Sequence, residues 1–260
     1  MSEVQRIDVS KVPEVTLGFW IIKIAATTLG ETGGDAVTMS MHLGYLVGTA
    51  IFAIIFMAAI WSQVVSKRFR PILYWTAIVA TTTVGTTLAD FVDRSLGIGY
   101  TGGSSILFAL LMASFGLWRW TLGSVAVDSI VSVKAEAFYW TTIMFSQTLG
   151  TALGDWMASS RGLGYEGGAL IFSAGLAVVA AAYYLTKLSR PLLFWAAFIL
   201  TRPLGATLGD LFDKPLSQGG FAMSRYTASA ILAAFIIVCI HFMPQRAVNH
   251  PRQTESEHEK

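Results

Sequence analysis

The chain has 260 residues, 54% of them hydrophobic and only 13% charged, with a formal net charge of +2 and a mean hydropathy of +0.59. A soluble domain carries about twice that charged fraction, so disorder, coiled coil, collagen and nucleic-acid binding are poor readings, and the small net charge implies no polyanionic partner. One cysteine, Cys239, excludes an intramolecular disulfide and any cysteine-based zinc or iron–sulfur cage. The composition is that of a protein in a lipid bilayer.

Residues 1–12 are polar and read as a cytoplasmic N-terminal segment rather than a cleaved signal, because the apolar run behind them carries Lys23 and Glu31. Two kinds of run then alternate. Residues 15–37, 72–92, 138–158 and 192–212 are apolar but studded with Thr, Gly and carboxylates. Residues 45–65, 102–118, 167–185 and 226–242 are clean, at 17 to 21 residues each. That length crosses a ~30 Å hydrocarbon core at ~1.5 Å per residue. Pro71 and Pro191 stand where the first turn of a helix tolerates proline. The expectation is an all-α integral membrane protein of eight transmembrane helices in four two-helix units, 13–66, 67–121, 122–188 and 189–243. A disordered cytoplasmic tail, 244–260, is expected to follow.

Loop charge sets the expected orientation. Arg6, Lys11, Lys67, Arg68, Arg70, Arg119, Lys134, Lys187, Arg190, Arg246, Arg252 and Lys260 lie on the side of both termini, against Arg94, Arg161, Lys214 and Arg225 opposite. Both termini are therefore expected in the cytoplasm, most simply of a bacterial inner membrane.

Self-comparison is more informative. Trp20, Trp75, Trp140 and Trp195 each open a polar-studded run. Ten residues after each is a glycine (Gly30, Gly85, Gly150, Gly205), and fifteen after each an aspartate (Asp35, Asp90, Asp155, Asp210). Twenty-four after each is another glycine (Gly44, Gly99, Gly164, Gly219). Units two and four alone share a second acid and a base, Asp93-Arg94 and Asp213-Lys214, which indicates a duplicated half. With two helices per unit, all four units enter the membrane in one sense, as parallel repeats forming two pseudo-equivalent halves.

FW(20)…TTLGETGGD(35), YW(75)…TTVGTTLAD(90), YW(140)…QTLGTALGD(155) and FW(195)…RPLGATLGD(210) resemble the repeats of a bacterial membrane-protein family. That family has four tandem copies of a two-transmembrane-segment repeat of unknown function containing a tryptophan. The resemblance, over roughly residues 18–243, implies the architecture and no activity. More faintly, residues 31–35 resemble the acidic Glu-x-Gly-Asp motifs of cation/proton exchangers, with an extra glycine and no Lys/Arg-Ser/Thr following.

At ~100° per residue, the polar residues of each Trp-led run share one face, which should turn inward because ionisable groups are costly in hydrocarbon. Two readings compete for them. The small-xxx-small pairs Gly30/Gly34, Gly85/Ala89, Gly150/Gly154 and Gly205/Gly209 suit close helix packing. The aspartates could be interfacial caps, and the tryptophans a belt or inter-helix packing.

Lys23, near its helix end, could snorkel. Glu31 and Arg202 lie near mid-bilayer, where snorkelling is difficult, and they are expected to meet, as a functional polar cluster or a structural ion pair. Pro203 is expected to interrupt its helix beside them. His42 and His241 fall at opposite ends, which excludes a shared zinc or haem site, and no catalytic constellation or resident cofactor is expected.

Two function classes remain. The first is a proton-coupled secondary transporter of a hard divalent cation (Mn²⁺, Mg²⁺ or Ca²⁺) through an acidic, Thr/Gly-lined centre. Asp35, Glu31, Asp90, Asp155 and Asp210 would be its metal ligands or proton carriers, and Lys23, Arg202, Gln147, Thr27, Asp93 and Asp213 its charge network. Four convergent aspartates should then need protons or a metal to coexist, with Asp35 dominant. The second class is a non-transporting sensor, scaffold or complex subunit whose polar centre is structural. Expected partners are the bilayer, a small cation and protons, with no nucleic acid; homo-oligomerisation stays open.

Overall fold

Each Trp-led run becomes a helix with a start signal written beside it. Thr16 caps α1 (Leu17–Asp35) by accepting from the Phe19 N–H, Ser132 caps α5 (Val133–Asp155) and Ser189 caps α7 (Arg190–Asp213). Helix α3 (Pro71–Asp90) instead opens on proline, whose missing N–H has no partner to lose there. The clean runs are α2 (Gly44–Val65), α4 (Gly99–Leu122), α6 (Gly164–Leu185) and α8 (Arg225–Phe242). This computed structural model describes residues 9–66, 68–160 and 163–249. Among them, six helices (α2, α3, α4, α6, α7 and α8) are long and apolar enough to cross a membrane.

Three of the repeat aspartates end their helix and are followed by one turn of π-helix, at Ala36–Ser40, Phe91–Ser95 and Trp156–Ser160. The glycines twenty-four residues past each tryptophan share a left-handed backbone, with φ of +75°, +75°, +67° and +83° at Gly44, Gly99, Gly164 and Gly219. That conformation explains a fourth repeated residue with no side chain to contribute. Helix α7 corrects one expectation: it runs unbroken through Pro203. The ring is accommodated because α5 presents a glycine there, with Pro203 Cδ 3.0 Å from where a Cβ on Gly150 would stand.

The Trp-led helices form a closed inner ring: α1 packs on α3, α3 on α5, α5 on α7, and α7 back on α1. The clean helices lie outside, each chiefly against the next unit's inner helix: α2 on α3, α4 on α5, α6 on α7 and α8 on α1. Their uncovered faces are apolar, with Ile54, Phe108, Leu170 and Ile231 exposed, as lipid contact requires.

Glycine sets the ring's closeness. A Cβ on Gly85 would lie 2.9 Å from the Gln147 carbonyl carbon, one on Gly34 3.2 Å from Thr86, and one on Gly209 2.6 Å from Glu31 Cβ. Gly30, Gly150 and Gly205 meet Thr82, Arg202 and Thr27 in the same way. Thus the first repeat glycine of every unit receives the residue seven past the tryptophan of the next.

At one end the tryptophans join an aromatic layer instead of a surface belt. Trp75, Trp140 and Trp195 are buried among Tyr74, Tyr139, Phe194 and Phe198, and the Tyr74 and Tyr139 hydroxyls share a 2.7 Å hydrogen bond. A strap that sequence did not foresee closes this end. β1 (Val9–Pro13) pairs antiparallel with β2 (Ala247–Asn249), so the expected disordered tail begins with a strand; its remainder, 250–260, lies outside the described residues. Lys11 anchors the strap, 2.6 Å from Glu136 Oε1 and donating to the carbonyls of Gln63 and Val64.

Candidate functional site

Because the repeats share one register, the inner ring carries side chains in tiers, rising from the aromatic layer. Three residues past the tryptophans stand Lys23, Ile78, Ile143 and Phe198. Seven past them stand Thr27, Thr82, Gln147 and Arg202. Eleven past them stand Glu31, Thr86, Thr151 and Ala206, and fifteen past them the four aspartates. All sixteen are buried.

Arg202 marks the axis. From α7, its Nη2 reaches Glu31 Oε2 on α1 at 2.9 Å, Thr86 Oγ1 on α3 at 2.5 Å, and Thr151 Oγ1 on α5. One guanidinium nitrogen thus touches the other three inner helices. Glu31 and Arg202 form an ion pair with side-chain exposures of 4% and 0%. Thr86 also donates to Glu31 Oε2 at 3.3 Å. Thr27, in contrast, donates within and across the seam to the carbonyls of Lys23, Ile24 and Thr201. Lys23 does not snorkel: it is fully buried, its Nζ 4.1 Å above the Phe198 ring.

In the aspartate tier the chain supplies two cations of its own. Arg94 lies 2.9 Å from both Asp90 and Asp155, and Lys214 lies 2.7 Å from Asp35 and 2.8 Å from Asp210. Each clamp joins a unit's own aspartate to that of the next unit. Asp35 shares Lys214 with Asp210. Burial pushes the Lys214 ammonium toward neutrality, but Asp210, Asp35 and Asp213 outweigh it and raise its pKa, so it stays charged.

Asp93 and Asp213 join the same tier. Asp213 lies 2.5 Å from Arg225 and 3.8 Å from Lys214, while Asp93 is buried with Oδ1 unpartnered among the described residues. Arg225, which also lies 3.7 Å from Asp35, had not been singled out in the sequence, where it is only a loop-side base at the start of a clean helix.

Among the described residues, two groups of carboxylates lie close enough together to hold a cation. Glu31, Asp155 and Asp210 each offer an oxygen within 4.8 Å of the others, as do Asp35, Asp210 and Asp213. Oxygen sets of this kind suit hard cations. Of the expected ligands, Asp90 joins neither group among the described residues.

Comparison with known proteins bears on this tiered ring as a whole. A repeat described as Repeat of Unknown Function (DUF347) matches four tandem segments, residues 18–69, 73–124, 138–189 and 193–246. No curated protein and no solved structure matches the chain.

Proposed function

The chain belongs to the DUF347 repeat family, and on that premise we propose that it is a membrane transporter exchanging a hard divalent cation for protons along the axis of the inner ring. The architecture in this reading is eight crossings, both termini cytoplasmic, and four parallel repeats around an axis along the membrane normal. The seam register supports parallel repeats: Gly30 meets Thr82 and Gly34 meets Thr86, so residue numbers rise together on α1 and α3.

One observation carries the transport reading. Among the described residues, Glu31, Asp155 and Asp210, and likewise Asp35, Asp210 and Asp213, bring one carboxylate oxygen each within 4.8 Å of one another, in a buried tier that also holds Arg94, Lys214 and Arg225. Buried carboxylates packed this closely favour taking up a proton or a cation. A divalent cation taken by either carboxylate triplet would displace those protons, which is a coupling step. Glu31–Arg202 and the aromatic layer separate this tier from the strapped end.

The test is flux in proteoliposomes with an internal pH dye, over Mn²⁺, Mg²⁺ and Ca²⁺. Wild-type protein is expected to release protons against one of them, and Asp35→Asn to abolish that exchange while still folding. Wild-type protein that moves neither protons nor any of these cations would refute the proposal. The two base clamps and the glycine seams favour a second reading, a non-transporting module with a structural polar centre. Four Asp→Asn variants that lose only stability would select it.

A further inference from the structure

Below the aspartate tier the charge balance reverses. Lys23, Gln147 and Arg202 are fully buried, and Lys23 Nζ, both side-chain amide atoms of Gln147, and Arg202 Nε and Nη1 have no partner among the described residues. The fold brings these groups to two adjacent tiers. Thr27 Oγ1, one turn above Lys23, donates to Thr201 O at 3.2 Å, which sets Lys23 beside Phe198 and one turn below Arg202. On the other side Gly150, one turn above Gln147, packs directly on the Arg202 side chain. The carboxylate one tier above, Glu31, is already engaged by Arg202 Nη2 and Thr86.

The one carboxylate here is thus engaged by Arg202 while Lys23 has none, and the orphaned atoms are mostly donors. An ammonium offers three N–H groups, a guanidinium five, and neither accepts. Gln147 Oε1 is the one acceptor among these orphaned atoms, too few to ligate a metal cation. A ligand rich in lone pairs and carrying one negative charge would satisfy these donors and balance the buried charge.

We infer that the two tiers three and seven residues past the tryptophans bind a small monovalent anion, a halide or a compact carboxylate, held between Lys23, Arg202 and Gln147. This site is separate from the carboxylate triplets and goes beyond the cation reading. The Phe198 ring covers the ammonium on one side and directs its remaining donors away from the ring.

The experiment measures binding without flux, so it stands whether or not cation exchange is observed. The full chain in detergent is unfolded thermally, followed by tryptophan fluorescence, in sodium gluconate, chloride or formate at equal ionic strength. Gluconate is the reference ion, too large for a site enclosed by four packed helices. Chloride or formate is expected to raise the unfolding midpoint saturably, by about 5 °C at high occupancy. Chloride alone acting assigns a halide, and formate alone a carboxylate. Lys23→Met should remove the anion dependence and raise the midpoint in gluconate, since it deletes a buried group left without a partner. Gln147→Leu should weaken the dependence, and it carries the same test if Lys23→Met does not fold. Equal wild-type midpoints in all three salts would overturn the inference, as would an anion shift that persists in the folded variants.

Discussion

The Glu31–Arg202 pair gives a test with a built-in asymmetry. Both side chains are buried, 2.9 Å apart. Removing one member of such a pair costs about 3–5 kcal/mol, mostly from the charge left behind. The two deletions are not equivalent, because a carboxylate can take up a proton and a guanidinium cannot. Glu31→Gln strands Arg202 as a fixed cation near Lys23 and should cost the full ~4 kcal/mol, roughly 10 °C in midpoint for a chain of this size. Arg202→Met leaves a Glu31 that can neutralise itself and still accept from Thr86, and should cost only ~2 kcal/mol. The double variant should recover to within ~1 kcal/mol of Arg202→Met, a coupling of about 3 kcal/mol. The assay is thermal or denaturant unfolding in sodium gluconate, so that no small anion compensates Arg202. A double variant that loses the sum of the single losses, or an Arg202→Met costlier than Glu31→Gln, would refute the reasoning.

Other outcomes follow from the same geometry. Gly85→Ala places a Cβ 2.9 Å from the Gln147 carbonyl carbon and should destabilise by ~2–3 kcal/mol. Gly116→Ala, facing open space on α4, should be neutral or stabilising by up to ~1 kcal/mol; equal unfolding midpoints would contradict the seam. Lys214→Gln should lower stability more than Arg94→Gln, because the Lys214 side chain is 11% exposed against 34% and lies near three carboxylates. Chemical denaturation of the two variants checks the order, and the reverse order would count against the clamp assignment. In a Cys239→Ala background, Ser66→Cys and Ser189→Cys should resist impermeant thiol reagents in intact cells. Labelling from outside would reverse the proposed topology.

Much of the fold could be read from spacing alone. Tryptophan, glycine, aspartate and glycine at fixed intervals defined four units. The contrast between polar-studded and clean runs separated inner helices from outer ones, because a helix that faces lipid all along one side cannot carry carboxylates there. The small-xxx-small pairs marked the seams, and Glu31 and Arg202 at similar depth marked a meeting point. Spacing misjudged Pro203, because the glycine that accommodates its ring lies on another helix. It also missed the strap, because β1 and β2 are short and pair only after the bundle brings the two ends of the chain together.

The aspartate tier separates the two kinds of information most sharply. Half of each clamp is local: Asp90 and Arg94, like Asp210 and Lys214, are four residues apart on one helical turn. The other half spans the fold, from Arg94 to Asp155 across 61 residues and from Lys214 to Asp35 across 179. Periodicity shows which residues share a face of a helix, but not which neighbour that face will meet. The second partner of each base was decided only by tertiary packing, Asp155 when α3 met α5 and Asp35 when the ring closed α7 onto α1.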